Sequence, residues 1–383
     1  MGASHFFLNN LNNLFFMEIT VDRKKLVDCL SLGGSLAGKS KVMEILNYAK
    51  VVFKSNGQML VSSSDNQSFI TSRITGISVS EDKEFCVEPN LMLKALKTLS
   101  NELVTLNITE HRIICKREKG KMEFPITSSE DFIVFNTLDD SRTYEIDSER
   151  LFEWANNARM FAATETIRPI MCGMLLYADG NEIGCCATDA QKLYHDHYNT
   201  DNSVNEKLWV VIPTTALPLI CQIINGTDKT KVVVDAKNLT IKTSDSKISV
   251  KLIEGNYPNF KAILPKDKAL SVNVGVKELM DSISRVTLFA GDMPTLKMQI
   301  NGMNMNVSCQ DLMMSKQADD DIIVDHSGSD ITIGCNSEYI LNSLRNVLSD
   351  SVTLEMQDAT RPIVVKDADR PNKITICMPL MIQ

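Results

Sequence analysis

Apolar residues recur along the chain with the period of an amphipathic helix. At six places, a pair of adjacent residues is followed by apolar residues four or seven positions after the first member of the pair. These positions lie on one face of a helix with 3.6 residues per turn. The predicted helices cover Leu26–Leu30, Met92–Leu99, Leu151–Ala158, Leu217–Ile224, Leu279–Val286 and Ile340–Val347. Alternate helices begin 123 to 128 residues apart. This spacing predicts three repeats, each built from two related halves.

Alternating apolar and polar residues predict strands around these helices. The strands before and after the helix pairs are Ile19–Asp22, Val104–Leu106, Tyr144–Asp147, Val232–Val234, Val272–Gly275 and Val352–Leu354. Other alternating runs lie between the helices, at Ala49–Phe53, Leu175–Tyr177 and Leu296–Ile300, and the turn Ser64–Gln67 returns 124 residues later as Thr188–Gln191. We therefore predict an α+β fold of three β-α-βββ-α-βββ repeats, whose helices pack on one face of antiparallel sheets.

The repeats also predict the domain limits. Met17 begins the first repeat, so residues 1–16 are expected to lie outside the fold. Polar and charged segments separate the repeats, which gives domains at residues 17–140, 141–268 and 269–383.

Composition narrows the classes of function. Of the 383 residues, 44% are hydrophobic and 23% are charged, as in ordinary globular proteins, and the net charge is -8. A protein that binds nucleic acid over its whole surface would be basic, so that class is excluded, and any DNA contact must be local. The ten cysteines lie mostly in apolar runs without a Cys-x-x-Cys pair, which indicates a reducing cytoplasm. We expect no signal peptide and no membrane span, because Leu208–Ile224 contains two prolines and is too short.

Two local patterns suggest ligand chemistry. Gly33–Ser40 matches the phosphate-binding loop of nucleotide hydrolases, but that loop needs a strand before it and a helix after it. Here the preceding segment has a helical pattern, and a strand follows. His195 and His197 alternate as a metal site would require, yet the other histidines are scattered. The sequence favours no metal and no cofactor, while a P-loop hydrolase remains the alternative.

Basic residues lie on the helix faces opposite the apolar stripes. They are Lys24, Lys94, Lys97, Lys277 and Arg345. Asp28, Glu153 and Asp281 share these faces, so charge alone does not predict a DNA surface. The C-terminal strand contains Pro379 among apolar residues, which suggests that the tail leaves the sheet and lines a groove.

Several short motifs resemble one family in order and spacing. They are Met17–Val21, Gly173–Leu175, Ala187–Asp189, Glu254–Phe260, Leu264–Lys266 and Met378-Pro379. Together with the threefold period, they are similar to the bacterial DNA polymerase III β subunit, the sliding clamp. The resemblance implies a head-to-tail homodimeric ring around duplex DNA that has no catalytic activity and tethers the replicative polymerase. It also implies a clamp loader and other partners with clamp-binding motifs.

The resemblance implies three sets of site residues. The partner-peptide pocket would contain Met171, Thr188, Ala190, Lys192, Leu193, Pro258, Ile263, Asn336, Tyr339, Pro362, Ile376, Met378, Pro379, Leu380 and Met381. The DNA-facing residues would be Lys24, Lys39, Lys94, Lys97, Lys277 and Arg345. The dimer interface would pair Met122 and Phe124 with Leu288 and Phe289.

The pocket departs from the family pattern at the turn, where Ala190-Gln191-Lys192 replaces the common Gly-His-Arg. We therefore expect an apolar pocket with an altered peptide preference. A repeat scaffold that binds only protein is a further alternative, and salt-sensitive DNA association would distinguish it.

Overall fold

The structure, a computed structural model, describes residues 17–38, 40–100, 102–117, 119–135, 141–224, 226, 229–264 and 270–382, without the side chains of 202–205. The predictions for residues 1–16, Lys39 and both domain limits therefore lie outside the described residues.

All six predicted helices are confirmed within the described residues. They are α1 (Arg23–Gly33), α2 (Pro89–Lys97), α3 (Ser148–Phe161), α4 (Leu217–Ile224), α5 (Val276–Thr287) and α6 (Ser337–Leu344). Local chemistry sets their starts: Asp22 Oδ1 accepts a hydrogen bond from Lys25 N at 2.9 Å, and Pro89 occupies the first turn of α2.

The described strands number twenty-four. They are β1 (Met17–Asp22), β2 (Ala49–Lys54), β3 (Gln58–Ser64), β4 (Ser68–Thr75), β5 (Lys83–Val87), β6 (Leu103–Ile108), β7 (Arg112–Arg117), β8 (Gly120–Thr127), β9 (Arg142–Asp147), β10 (Gly173–Thr188), β11 (Lys192–Pro213), β12 (Lys229–Val234), β13 (Asn238–Lys242), β14 (Ser246–Lys251), β15 (Leu270–Gly275), β16 (Thr295–Asn301), β17 (Asn304–Asp311), β18 (Lys316–Ile323), β19 (Asp325–Ser327), β20 (Ile331–Asn336), β21 (Ser351–Met356), β22 (Ile363–Asp367), β23 (Arg370–Cys377) and β24 (Pro379–Leu380).

The prediction of seven strands in each repeat was wrong: the described residues contain eight strands in the first repeat, six in the second and ten in the third. Each half begins with its own strand, so β1 precedes α1 and β5 precedes α2, as β15 precedes α5 and β20 precedes α6. Because the two halves of a repeat are related, each should begin with a strand, from which the chain enters the helix that packs on the same sheet. In the middle repeat, the long hairpin of β10 and β11 replaces separate short strands.

The chain forms two compact units, and its middle repeat contributes to both. Unit 1 contains the described residues up to Ser148 together with Gln222–Lys251, and unit 2 contains Glu149–Cys221 and the described residues from Leu252 onwards.

Unit 1 is organised around one sheet. Its twelve described strands run in the order β1-β6-β7-β8-β5-β2-β3-β4-β14-β13-β12-β9. α1 and α2 bury Leu26, Leu30, Met92 and Leu96 in a core with the inward residues of these strands. Antiparallel pairing of β4 with β14 joins the first repeat to strands of the second.

Unit 2 contains two sheets and the second main core. Within the described residues, their orders are β10-β11-β23-β22-β21-β15-β19 and β18-β17-β16-β20-β24. α5 and α6 bury Leu279, Ile283, Ile340 and Leu344 in this core. No helix in the described part of the chain is long and apolar enough to cross a membrane.

Candidate partner-binding groove

Three segments of unit 2 meet at the surface that the sequence assigns to partner peptides. We call this surface the partner groove: the turn Thr188–Gln191 with the start of β11, the beginning of α6, and the tail after β23. Met378 N donates to Gln191 O at 2.8 Å, and the Tyr339 hydroxyl donates to Gln191 Oε1 at 2.9 Å. Gln191 therefore links the tail to α6.

Side-chain hydrogen bonds fix the turn itself. Thr188 Oγ1 donates to Lys192 O at 2.7 Å and accepts from Ala190 N at 3.1 Å. Asp189 Oδ1 accepts from Lys192 N at 2.9 Å. Ala190 has a φ of +77°, a left-handed conformation in which the Cβ is unfavourable. The turn is thus a rigid wall rather than an adaptable loop.

Lys192 is the basic side chain of this turn. Lys192 Nζ is 4.5 Å from the centroid of the Tyr339 ring and 3.6 Å from Asp189 Oδ2. Asn336 Oδ1 caps α6 by accepting from Glu338 N at 2.9 Å, which orients the first turn and Tyr339. Burial, aided by the Asp189 carboxylate, raises the pKa of the Tyr339 hydroxyl, so this residue stays a neutral donor.

The floor of the partner groove is apolar. Leu193 and Ile376 are paired across the β11–β23 ladder, and both are buried with Tyr257 and Phe260. The Tyr257 hydroxyl donates to Cys186 O at 3.3 Å.

A polar cluster lies within this apolar floor. The Tyr177 hydroxyl donates to Glu182 Oε1 at 2.6 Å, so its oxygen accepts from His195 Nε2 at 2.9 Å. Burial and the nearby His197 lower the pKa of His195 to about 4. The two histidines do share a strand face, but the described residues contain no group of three or more metal-binding side chains.

The tail after β23 lies so close to β20 that the residue facing it on β20 must be glycine. Pro379 and Leu380 pair with Cys335 and Gly334 of β20. A Cβ on Gly334 would lie 2.6 Å from Leu380 O, closer than atoms can approach. Met378 and Met381 remain exposed, Met381 at 96%. The prediction that the tail leaves the main ladder is confirmed, although it adds one short strand elsewhere.

The structure thus brings together most of the predicted pocket. Eight of its residues belong to these three segments: Thr188, Ala190, Lys192, Leu193, Tyr339, Met378, Pro379 and Leu380. Met381 also lies in the tail, while Ile376 lies on β23 opposite Leu193, and Asn336 ends β20 and caps α6. Met171 is buried in the short 3-10 helix Pro169–Cys172, Pro258 and Ile263 flank the one at Phe260–Ala262, and Pro362 precedes β22.

Sequence reasoning missed two residues of the groove. Gln191 was read as a departure from the family, although it joins two of the three segments. Gly334 was not selected, although a glycine inside a strand is a signal of close backbone approach.

The helix-face residues are placed as predicted, with one correction. Lys24, Lys94, Lys97, Lys277 and Arg345 are exposed, and so are Asp28 and Asp281. Glu153 was wrongly placed on a solvated face: its Oε1 lies 2.8 Å from Lys373 Nζ and its Oε2 3.3 Å from Arg370. Buried Lys373 needs a counter-charge, which explains this orientation.

The predicted interface residues differ in accessibility. Leu288 is 80% exposed and Phe289 is also exposed at the end of α5. Met122 is half-buried on β8, whereas Phe124 is only 3% exposed and belongs to the core of unit 1. Phe124 therefore supports β8 from inside and offers little surface itself.

Two glycines of the Gly33–Ser40 pattern allow neighbouring segments to pack closely. A Cβ on Gly33 would lie 2.8 Å from Val61 Cβ, and one on Gly34 would lie 2.7 Å from Pro89 Cβ. The segment follows α1 and leads through a short 3-10 helix to β2, so the strand-loop-helix frame of a phosphate site is missing from the described residues.

Comparison with known proteins decides the family. Models of the N-terminal, central and C-terminal domains of the DNA polymerase III beta subunit match residues 17–136, 145–259 and 261–381 in order. The chain belongs to the DNA polymerase III beta subunit family. This family comprises the sliding clamps, which are DNA polymerase processivity factors, and nothing supports the P-loop alternative.

Relatives in the beta subunit family match along nearly the whole chain. The beta sliding clamp of Pseudomonas aeruginosa is 18% identical over 369 residues, covering 96% of this chain and 100% of the relative. That of Streptococcus pneumoniae is 23% identical over 376 residues, covering 95% and 96%.

Solved structures of the beta subunit family share the fold. The P. aeruginosa sliding clamp bound to griselimycin superposes with a TM-score of 0.90 at 18% identity, over 96% of this chain and 100% of that one. The DNA polymerase III beta chain of S. pneumoniae gives 0.90 at 19% identity, with the same coverage. The predicted α+β clamp fold is confirmed.

Proposed function

We propose that this protein is the sliding clamp of a bacterial replicative DNA polymerase. Two chains would close head to tail around duplex DNA and hold the polymerase there without catalysing a reaction. The observation that carries this proposal is the match of all three domain models, in order, along one chain.

The proposed dimer joins unit 1 of one chain to unit 2 of another. β18 is the edge of its sheet and exposes Asp319 and Asp321. Among the described residues, β8 pairs with β5 through Ile126 and Thr127, which leaves a free edge along its earlier residues, beside Lys121. Opposite charges and two free strand edges favour pairing between chains, and exposed Leu288 would add apolar contact.

DNA contact in this proposal is weak and independent of sequence. Lys24, Lys94, Lys97, Lys277 and Arg345 are exposed, as phosphate contacts require, while Lys39 remains a prediction. Carboxylates share the same helix faces, and the chain has a net charge of -8. Few loose phosphate contacts would allow sliding, so the closed ring would have to supply retention.

The partner groove would bind the polymerase, the clamp loader and other clamp-motif proteins. Its apolar floor at Leu193 and Ile376 suits spaced Leu or Phe anchors, and the amide of Gln191 suits a peptide glutamine. The proposed location is the bacterial cytoplasm. In support, all ten cysteines are free thiols, as is usual in a reducing compartment.

Retention on DNA tests the proposal. After loading onto a nicked circle by its cognate loader, the protein should remain bound in high salt and leave when the circle is cut to a linear form. A ring slides off free ends, whereas a conventional DNA-binding protein does not. Equal retention on circular and linear DNA at the same salt would contradict the proposal.

A further inference from the structure

Unit 1 contains a second turn with the hydrogen bonds of the partner groove. Ser64 Oγ donates to Ser68 O at 2.8 Å and accepts from Asn66 N at 3.1 Å. Asn66 has a φ of +70°. Lys251 N, at the end of β14, donates to Gln67 O at 2.8 Å.

Each of these bonds repeats one in unit 2. Thr188, Ala190 and Lys192 make the same side-chain contacts, and Met378 N donates to Gln191 O at the same 2.8 Å. β4 pairs with β14 as β11 pairs with β23. The hydrogen-bonded turn of the partner groove, with its neighbouring strand pair, therefore occurs twice in the chain, once in each unit.

Beside the first copy, the sheet face away from the helices carries a groove of about 440 Å³, which we call the basic groove. It lies on β2, β3, β4 and the turn between β13 and β14. Val52 and Leu60 form its apolar floor, and Val134, 50% exposed, forms one wall. This space would hold a few apolar side chains.

Five basic residues surround this floor, although the chain as a whole is acidic. They are Lys50, Lys54, Arg73, Lys242 and Lys247. Glu84 pairs with Lys50 at 2.9 Å, and Asp245 is the carboxylate among the described lining residues. The surplus of positive charge complements an acidic ligand.

The aromatic side chain in this lining is not available for stacking. Phe69 is only 5% exposed and stacks on Phe135, with ring centroids 6.0 Å apart. Single-stranded nucleic acid would need exposed rings for its bases. An apolar floor within a cationic rim instead fits a peptide.

We propose that the basic groove docks an extended acidic segment of a partner protein, with one or two leucine-sized side chains on Leu60 and Val52 and carboxylates on the lysines. This site is separate from the partner groove and selects by charge, whereas the partner groove presents one lysine that is already engaged with Tyr339.

The test uses the full chain and a fluorescein-labelled peptide, Asp-Glu-Leu-Asp-Leu-Glu-Asp, followed by fluorescence anisotropy. Lys54→Glu with Lys242→Glu should weaken binding about tenfold or more, since each reversal replaces attraction with repulsion. The matched control is Lys229→Glu with Lys237→Glu, two exposed lysines of unit 1 outside the groove. It should bind within about twofold of wild type, because screened distant charges contribute little.

A second pair of measurements tests the apolar contact. Replacing both leucines of the peptide by serine, or Val134 by serine in the protein, should each weaken binding. Equal losses in both lysine variants, or full affinity of the serine peptide, would overturn the proposal. So would a ten-thymidine oligonucleotide that binds more tightly than the peptide and is lost in Lys54→Glu with Lys242→Glu. Thermal unfolding of each variant verifies that it is folded.

Discussion

His195 shows how single residues of unit 2 are fixed by their neighbours. Its Nε2 donates to Tyr177, while its Nδ1 is buried without a hydrogen-bond partner among the described residues. Protonation would place a charge on that nitrogen in an apolar site. The neutral form is therefore the one that the fold accepts.

This arrangement predicts a stability change with pH. His195 takes up a proton near pH 6.5 when unfolded but only near pH 4 when folded. Its contribution is therefore fully present above pH 6.5 and is lost as pH falls towards 4, by up to about 3 kcal/mol. In urea unfolding, the wild type should lose more stability than His195→Gln between these pH values.

The exposed His111 supplies the control for this measurement. His111→Gln should keep the wild-type dependence on pH. A His195→Gln variant with the same pH slope as the wild type would show that His195 titrates normally in the folded protein.

Residues with apolar partners were predictable, and residues with polar partners were not. Leu279 and Ile283 lie on the apolar stripe of a predicted helix, and both are buried, whereas Leu193 and Ile376 were placed through the family resemblance. The orientation of Glu153 depends on Lys373, which is 220 positions away in sequence. No local pattern contains that information, so a helix wheel placed Glu153 on the wrong face.

At the scale of elements, the tail strand β24 depends on the glycine opposite it. Gly334→Ala would force the backbone of Leu380 to move, because the new Cβ would lie 2.6 Å from its carbonyl oxygen. We expect this substitution to weaken peptide binding to the partner groove about tenfold, since a few anchors dominate such interfaces. Titration with a peptide carrying one glutamine and spaced Leu and Phe residues measures the effect.

Gly275→Ala is the matched control, because its Cβ would lie 3.8 Å from the nearest side chain. It should leave the peptide affinity unchanged. If Gly334→Ala binds as well as this control, the tail does not form part of the site.

The elements themselves were largely predictable because the repeat presents each pattern six times. A helix of eight residues such as α4 is marginal alone, yet its position follows from the copies 125 residues before and 123 after it. Strands such as β5 were not predicted because they are short. β5 has five residues, which are too few to show a clear alternation.

At the scale of the whole molecule, the exposed apolar pair at the end of α5 predicts assembly. Replacing Leu288 and Phe289 by glutamate should convert dimers to monomers, since burying each contributes about 1.5–3 kcal/mol. Sedimentation at low micromolar concentration measures this. Leu103→Glu with Leu348→Glu, which adds the same charge at exposed apolar positions outside β8, β18 and the end of α5, should remain dimeric.

The discontinuous course of unit 1 has a consequence during synthesis on the ribosome. Arg73 on β4 and its hydrogen-bond partner Ser244 are 171 residues apart. At about 5–20 residues per second, the nascent chain must wait roughly ten to thirty seconds before β14 can cover β4. During that interval β4 is an open edge. Arg73 places a positive charge on this edge, and a charge on an open edge disfavours pairing with the same strand of a neighbouring nascent chain.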